Sequence, residues 1–131
     1  MKKLTPEYIT SLKPNQIFVF GSNIAGMHGG GAARFAATHF GAVFGEGVGR
    51  TGQCYAIPTM QGGTETIAPY VNDFVKYAVA NPELEFLVTR IGCGIAGFDD
   101  SEIAPLFREA YKYSNIWLPK EFVAIIESMP T

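Results

Sequence analysis

Two glycine-rich loops, each placed directly behind a β-branched and aromatic run, constrain this chain more than any other feature. Ile17-Phe-Val-Phe20 leads into Gly21-Ser22-Asn23-Ile24-Ala25-Gly26-Met27-His28-Gly29-Gly30-Gly31, and the run over 86–91 leads into Gly92-Cys93-Gly94-Ile95-Ala96-Gly97. Each run reads as a strand and each loop opens a helix-like segment. Glycine lets successive backbone N–H groups turn toward one point and lets a ligand approach closely. A helix N-terminus behind the loop adds a field that favours an anion. Two such loops at strand ends predict one cleft for a phosphate-bearing small molecule.

The remaining pattern is α/β. Thr5-Pro6-Glu7 carries helix-start signals and predicts a short helix ending near Leu12. Residues 31–40 predict a helix with Ala32, Phe35, Ala36, His39 and Phe40 on one side, capped by Gly41. Glycines at 41, 45, 47, 49 and 52 predict an irregular stretch before a strand over 54–57 that Pro58 closes. Helical spacing of Ile67, Tyr70, Val71, Phe74, Val75 and Ala78 predicts a helix over 66–80. A strand over 85–91 follows, then a helix from the acidic start at Asp99-Asp100 to about Tyr113, then a strand over 115–118. Residues 120–128 read as a final helix or an edge strand. Alternating strands and helices imply a mostly parallel mixed sheet covered on both faces, a three-layer α/β/α single domain over residues 1–131. Ligands in such sheets bind beyond the carboxyl ends of the strands, where both glycine loops and the 59–63 loop lie.

Composition narrows the function classes. A chain of 131 residues with 47% hydrophobic residues buries a sizeable core as one domain. A net charge of −2, with the ten Lys and Arg scattered, argues against a nucleic-acid partner. No apolar run approaches the roughly 20 residues that span a bilayer, and the segment after Met1-Lys2-Lys3 lacks the apolar stretch of a signal peptide. Cys54 and Cys93 have no metal-ligand spacing and no neighbours that indicate a disulfide, so the expected compartment is a reducing cytoplasm, with no metal and no cofactor. Oligomeric state is open.

Individual residues carry competing readings. Gly92-x-Gly-x-x-Gly97 matches the dinucleotide fingerprint letter by letter, but it follows a late strand, and a helix cap at Asp99 or Asp100 comes after its last glycine. A phosphate cradle, a plain tight turn and a Rossmann site are the three readings. Asn23 offers an amide to a sugar hydroxyl pair, or caps its own loop. His28, read as solvent-facing beside the cleft, is a candidate general base or an ordinary loop residue. His39 reads as packed. Cys93 between glycines reads as a small residue where backbone nears phosphate, rather than a nucleophile. Asp99 is a candidate for catalysis or a helix cap. Arg34 and Arg90 are the bases nearest the loops, and either is placed to reach a phosphate or to pair with an acid.

Taken together, these segments resemble the macrodomain, an ADP-ribose-binding module. Phe18-Val-Phe-Gly-Ser-Asn23 is similar to the family's first motif, and Met27-His-Gly-Gly-Gly-Ala-Ala-Arg-Phe35 with Phe40-Gly41 resembles the branch that deacylates O-acyl-ADP-ribose and removes ADP-ribose from glutamate. Arg90-Ile-Gly-Cys-Gly-Ile-Ala-Gly-Phe98 resembles that branch's second loop, and Tyr55-Ala-Ile-Pro58 falls at its middle strand. The resemblance runs over about residues 16 to 112. It departs at the chemistry: Ala96 stands where that branch has its catalytic Asp, and Thr59-Met60-Gln61 where its partner Lys is expected. The Asp of the other hydrolytic branch, shortly after the triple glycine, is absent too. The acid that often holds adenine ahead of the first strand is missing, with Glu7 as a stand-in.

What the resemblance implies is a binder of ADP-ribose or a related NAD-derived nucleotide, free or carried on an ADP-ribosylated protein, without the known hydrolase devices. Its expected ligand contacts are Gly21, Ser22, Asn23, Gly29, Gly30, Gly31, Gly92, Cys93, Gly94, Ile95, Ala96, Gly97 and Phe98. Asn23 would hold the distal ribose, and residues 92–97 the diphosphate. The alternatives are a hydrolase of ADP-ribosyl or nucleotide derivatives working through His28 or Asp99, a Rossmann-like cofactor module, and an interaction module with a vestigial cleft.

Overall fold

The computed structural model describes residues 2–130. Five strands, β1 (Gln16–Ser22), β2 (Gly49–Thr51), β3 (Cys54–Pro58), β4 (Glu85–Val88) and β5 (Ile116–Trp117), form one sheet in the order β2-β3-β1-β4-β5. The pairs β1–β3, β1–β4 and β4–β5 are parallel, while β2 is an antiparallel edge joined to β3. The α/β character and the mostly parallel mixed sheet are thus as the sequence predicts.

The central strand explains the layering. Side chains alternate across a strand, so Ile17 and Val19 enter one core and Phe18 and Phe20 the other. On the first face lies helix α2 (Thr64–Ala80), burying Ile67, Val71, Phe74, Val75 and Ala78, together with α4 (Lys120–Ser128). On the second face lies α1 (Gly31–His39), with Ile9 and Leu12, against Phe18, Phe20, Cys54 and Ala56. The first core holds most of the large apolar side chains, with Phe74 edge-on to Phe86 and Tyr55.

Several elements differ from the sequence reading. Residues 5–12 form no helix: Leu4 bridges Leu118 in parallel, and the Thr5 N–H donates to the Leu118 carbonyl at 2.8 Å. Pairing with the end of β5 satisfies the backbone better than one isolated turn, whose nucleation is costly. The stretch read as irregular contains β2, because Gly52 at φ +56° supplies the turn residue of a two-residue hairpin with Thr51 opposite Cys54. The helix expected from Asp99 to Tyr113 is only α3 (Asp100–Ile103), continued by two 3₁₀ turns, Ala104–Phe107 and Ala110–Lys112. Pro105 lacks the N–H that would continue the α-helical ladder. Helix α1 is rotated from the expected face: Ala33, Ala36 and Phe40 are buried, whereas Ala32 and His39 are exposed. His39 therefore is not packed in the core; it lies on the surface beside the Phe35 ring, with centroids 4.4 Å apart. Gly41 does follow α1 in the left-handed region, at φ +86°. The tail is the helix α4.

Candidate functional site

Both glycine loops leave the sheet at its carboxyl edge, because β1 and β4 are adjacent and parallel. The space between them is a cleft with two adjoining lobes. The narrow lobe, about 230 Å³, is walled by Gly21 to Asn23 on one side and by Gly92, Gly94, Ile95 and Ala96 on the other. The first turn of α1, from Gly30 to Ala33, closes its end. The wide lobe, about 630 Å³, runs under residues 4–10 and over Phe18, Phe35 and Val88 to the start of α4. Gly31, Ala32, Thr89 and Arg90 line both.

Local physics makes the narrow lobe rich in backbone donors. Helix α1 has no side-chain N-cap and no acid in its first turn, and its Gly30 cap is fully extended. Its first helical hydrogen bond is Arg34 N–H to Gly30 carbonyl, at 3.2 Å. The preceding N–H groups are the orphan donors of any helix start, and here they border a cleft. Loop 92–97 turns by left-handed backbone at Gly92 and Gly97, both at φ +79°, and closes with the Phe98 N–H on the Gly92 carbonyl at 2.8 Å. Gly94 lines the lobe, and beyond its chain neighbours no atom lies within 4 Å of where a Cβ would stand. Thr59 and Thr89 floor the lobe; Thr89 Oγ1 donates to the Val19 carbonyl at 2.8 Å.

The first loop is fixed from behind by a second one, residues 41–48. Ser22 Oγ donates to the Gly47 carbonyl, and the Gly45 N–H donates to the Gly26 carbonyl at 3.0 Å. Gly47 lies directly on the Asn23 and Ile24 carbonyls: a Cβ there would come within 2.7 Å of Ile24 O. Only a residue without a side chain permits that approach.

Of the expected contacts, the structure brings Gly21, Ser22, Asn23, Gly30, Gly31, Gly92, Gly94, Ile95 and Ala96 to the narrow lobe, but not Gly29, Cys93, Gly97 or Phe98. Phe98 turns inward, its ring 3.4 Å from the Cβ position of Gly92, and packs on the larger core. Asn23 uses both ends of its amide on its own loop: Oδ1 accepts from the Met27 N–H at 2.9 Å, and Nδ2 donates to the Met27 carbonyl at 3.1 Å. It is a loop clasp that borders the cleft.

His28 is not solvent-facing. It is 1% exposed, packed edge-on against Phe20, with Nε2 on the Val43 carbonyl at 2.9 Å. The apolar residues Phe20 and Phe44 recruit the ring inward, so it fastens loop 41–48 and lies outside both lobes. Asp99 stands at the start of α3, where its N–H donates to the Glu102 carboxylate at 3.0 Å. It too lines neither lobe. Burial, reinforced by the Asp100 carboxylate, pushes the Cys93 thiol up to about 12, which leaves it neutral and poorly nucleophilic at pH 7.

Arg90 is the one charged side chain on the narrow lobe among the described residues. Its Nε and Nη2 reach Asp100 Oδ1 and Oδ2 at 3.0 and 2.9 Å, a bidentate pair. Hydrogen bonding within the pair lowers the Asp100 carboxyl below its ordinary value and raises the guanidinium. Arg34 lines neither lobe. The sequence reading missed the wide lobe, since its residues come from five segments spread between residues 4 and 121. Among the described residues no group of three or more His, Cys, Asp and Glu is placed to hold a metal ion, and no helix is long and apolar enough to cross a membrane. Comparison with models of protein families, with curated proteins and with solved structures gives no match for this chain.

Proposed function

We propose that this chain binds ADP-ribose or a related NAD-derived nucleotide as a macrodomain-like reader, and is not a hydrolase of the known types. The observation that carries the reading is the two-lobed cleft at the carboxyl edge of the parallel strands. One lobe is small, glycine-walled and lined with backbone donors; the other is larger, aromatic and mostly apolar. The diphosphate belongs in the first, where uncapped N–H groups and a helix N-terminus favour an anion. The adenosine belongs in the second, against Phe18 and Phe35, with Glu7 and Glu121 at its border as acceptors for amine or hydroxyl donors. The wide lobe has the size of small-molecule sites, about 300–1,000 Å³. No carboxylate lines the narrow lobe among the described residues, and His28 and Asp99 both face elsewhere. Proton transfer at a distal ribose therefore has no side-chain acid or base within that lobe.

The test is a thermal-shift titration with ADP-ribose, NAD, AMP and cyclic ADP-ribose. A ligand at a hundredfold excess over its Kd stabilises the fold by about 2.7 kcal/mol, which is about 8–10 °C for a domain of this size. Gly94→Glu is the control: its side chain has room in the fold and puts a carboxylate on the wall of the lobe, against an anionic ligand. A selective rise with ADP-ribose, lost in the variant, supports the reading. No shift with any of the four refutes it.

A further inference from the structure

The narrow lobe carries a single charged side chain among the described residues, and its placement is specific. Arg90 lines both lobes and so stands at their junction, with the first turn of α1 also on both. A guanidinium has five N–H donors. Asp100 occupies two of them, one on Nε and one on Nη2, and no other hydrogen bond is made by the group among the described residues. Three donors are left on a side chain that is 51% exposed. The bidentate contact fixes the plane of the fork, and Asp100 is itself held at the start of α3, 22% exposed. A freely rotating surface arginine would lose rotamer entropy on gripping a ligand; this one has lost much of it already. The other nearby bases do not compete, since Arg34 lines neither lobe and Lys120 lines only the wide one.

We propose that Arg90, held by Asp100, is the side chain that grips the anionic diphosphate at the junction of the two lobes. The inference rests on the nucleotide reading above and adds a charged contact to a site otherwise built of backbone donors. Arg90 then has two anionic partners, Asp100 on its Nε edge and phosphate oxygens on its Nη1 edge. Asp100 touches no ligand; it is a positioning residue that keeps the fork aimed across the cleft.

Calorimetric titration of the full chain with ADP-ribose and with inorganic pyrophosphate, at about 50 and 200 mM salt, tests this. Removing one charge-assisted grip predicts a 10- to 100-fold weaker ADP-ribose affinity in Arg90→Gln, with a shallower salt dependence. Arg90→Lys keeps the charge without the fork and falls between. Asp100→Asn weakens binding less than Arg90→Gln and keeps the salt dependence, a readout that mere damage to the fold would not preserve. Arg34→Gln binds like the native chain. Melting by circular dichroism confirms that each variant folds, and Arg90→Lys stands in if Arg90→Gln does not. If native chain and Arg90→Gln bind ADP-ribose within twofold of each other, the proposal falls while the nucleotide reading stands. If pyrophosphate binds in an Arg90-dependent way but ADP-ribose does not, the anion grip stands and the nucleotide reading falls. Binding of neither overturns both.

Discussion

Replacing Gly47 by alanine separates packing of the two cleft-side loops from ligand binding. The added Cβ would lie 2.7 Å from Ile24 O and 2.8 Å from Ile24 C, with Asn23 O closer still. All three are backbone atoms, so no rotamer change relieves the clash, and loop 41–48 must move off loop 23–27. Overpacking of this kind costs about 1–3 kcal/mol. Displacement also breaks the buried bond from Ser22 Oγ to the Gly47 carbonyl, worth about 1–2 kcal/mol when a partner is left unsatisfied. The total, about 2–5 kcal/mol, corresponds to a fall in Tm of about 7–18 °C for this chain length. Gly94→Ala is the matched control, because nothing lies within 4 Å of its Cβ and its φ is outside the left-handed region. It leaves Tm within about 1 °C and acts on ligand affinity alone. Differential scanning calorimetry of both decides. A Gly47→Ala Tm within 2 °C of the native value would show that the loops are not locked backbone to backbone.

Other outcomes follow from the same structure. Burial raises the thiols of Cys54 and Cys93 to about 12 each, so at pH 8 both react much more slowly with a thiol reagent in the folded protein than in denaturant; labelling of native Cys93 as fast as in denaturant would contradict the placement. The Asp100 carboxyl is held low by Arg90, so the pair's contribution is present above the ordinary carboxylate range and lost as pH falls through the folded value. Partly exposed, it amounts to about 0.5 kcal/mol, and urea midpoints of Asp100→Asn should fall less than the native ones between pH 6 and pH 3. Pro69 sits exposed inside α2 and lacks the N–H that would bond to the carbonyl of Glu65; Pro69→Ala should stabilise by about 1–3 kcal/mol, and a lower Tm would mean the proline is required. Phe74→Ala, removing a ring buried against Phe86, Tyr55 and Phe107, should cost about 3–5 kcal/mol, read by urea denaturation.

The parts legible in the sequence are those governed by short-range periodicity. Alternation at Ile17-Phe-Val-Phe20 marks a strand with two buried faces, and the spacing of Ile67, Val71, Phe74 and Ala78 marks the inner side of α2. Gly41 marks the end of α1 and Pro58 the end of β3. The glycine loops behind adjacent parallel strands already imply a cleft, since strand direction alone brings their carboxyl ends to one edge.

Choices between near-equal local alternatives were decided by partners distant in sequence. Residues 5–12 carry sound helix-start chemistry, yet Leu118 bridges the preceding Leu4 and takes the Thr5 N–H. His28 is polar and flanked by glycines, yet Phe20 and Phe44 draw it out of water. Asn23, surrounded by glycines, reads as a ligand contact, yet the return of the chain at Met27 satisfies both ends of its amide. Arg34 and Arg90 were indistinguishable as neighbours of the loops; only the start of α3, which presents Asp100, sets Arg90 at the junction of the lobes. A sequence window records what a residue prefers, but burial and pairing depend on atoms tens of residues away, and those atoms settled each of these positions.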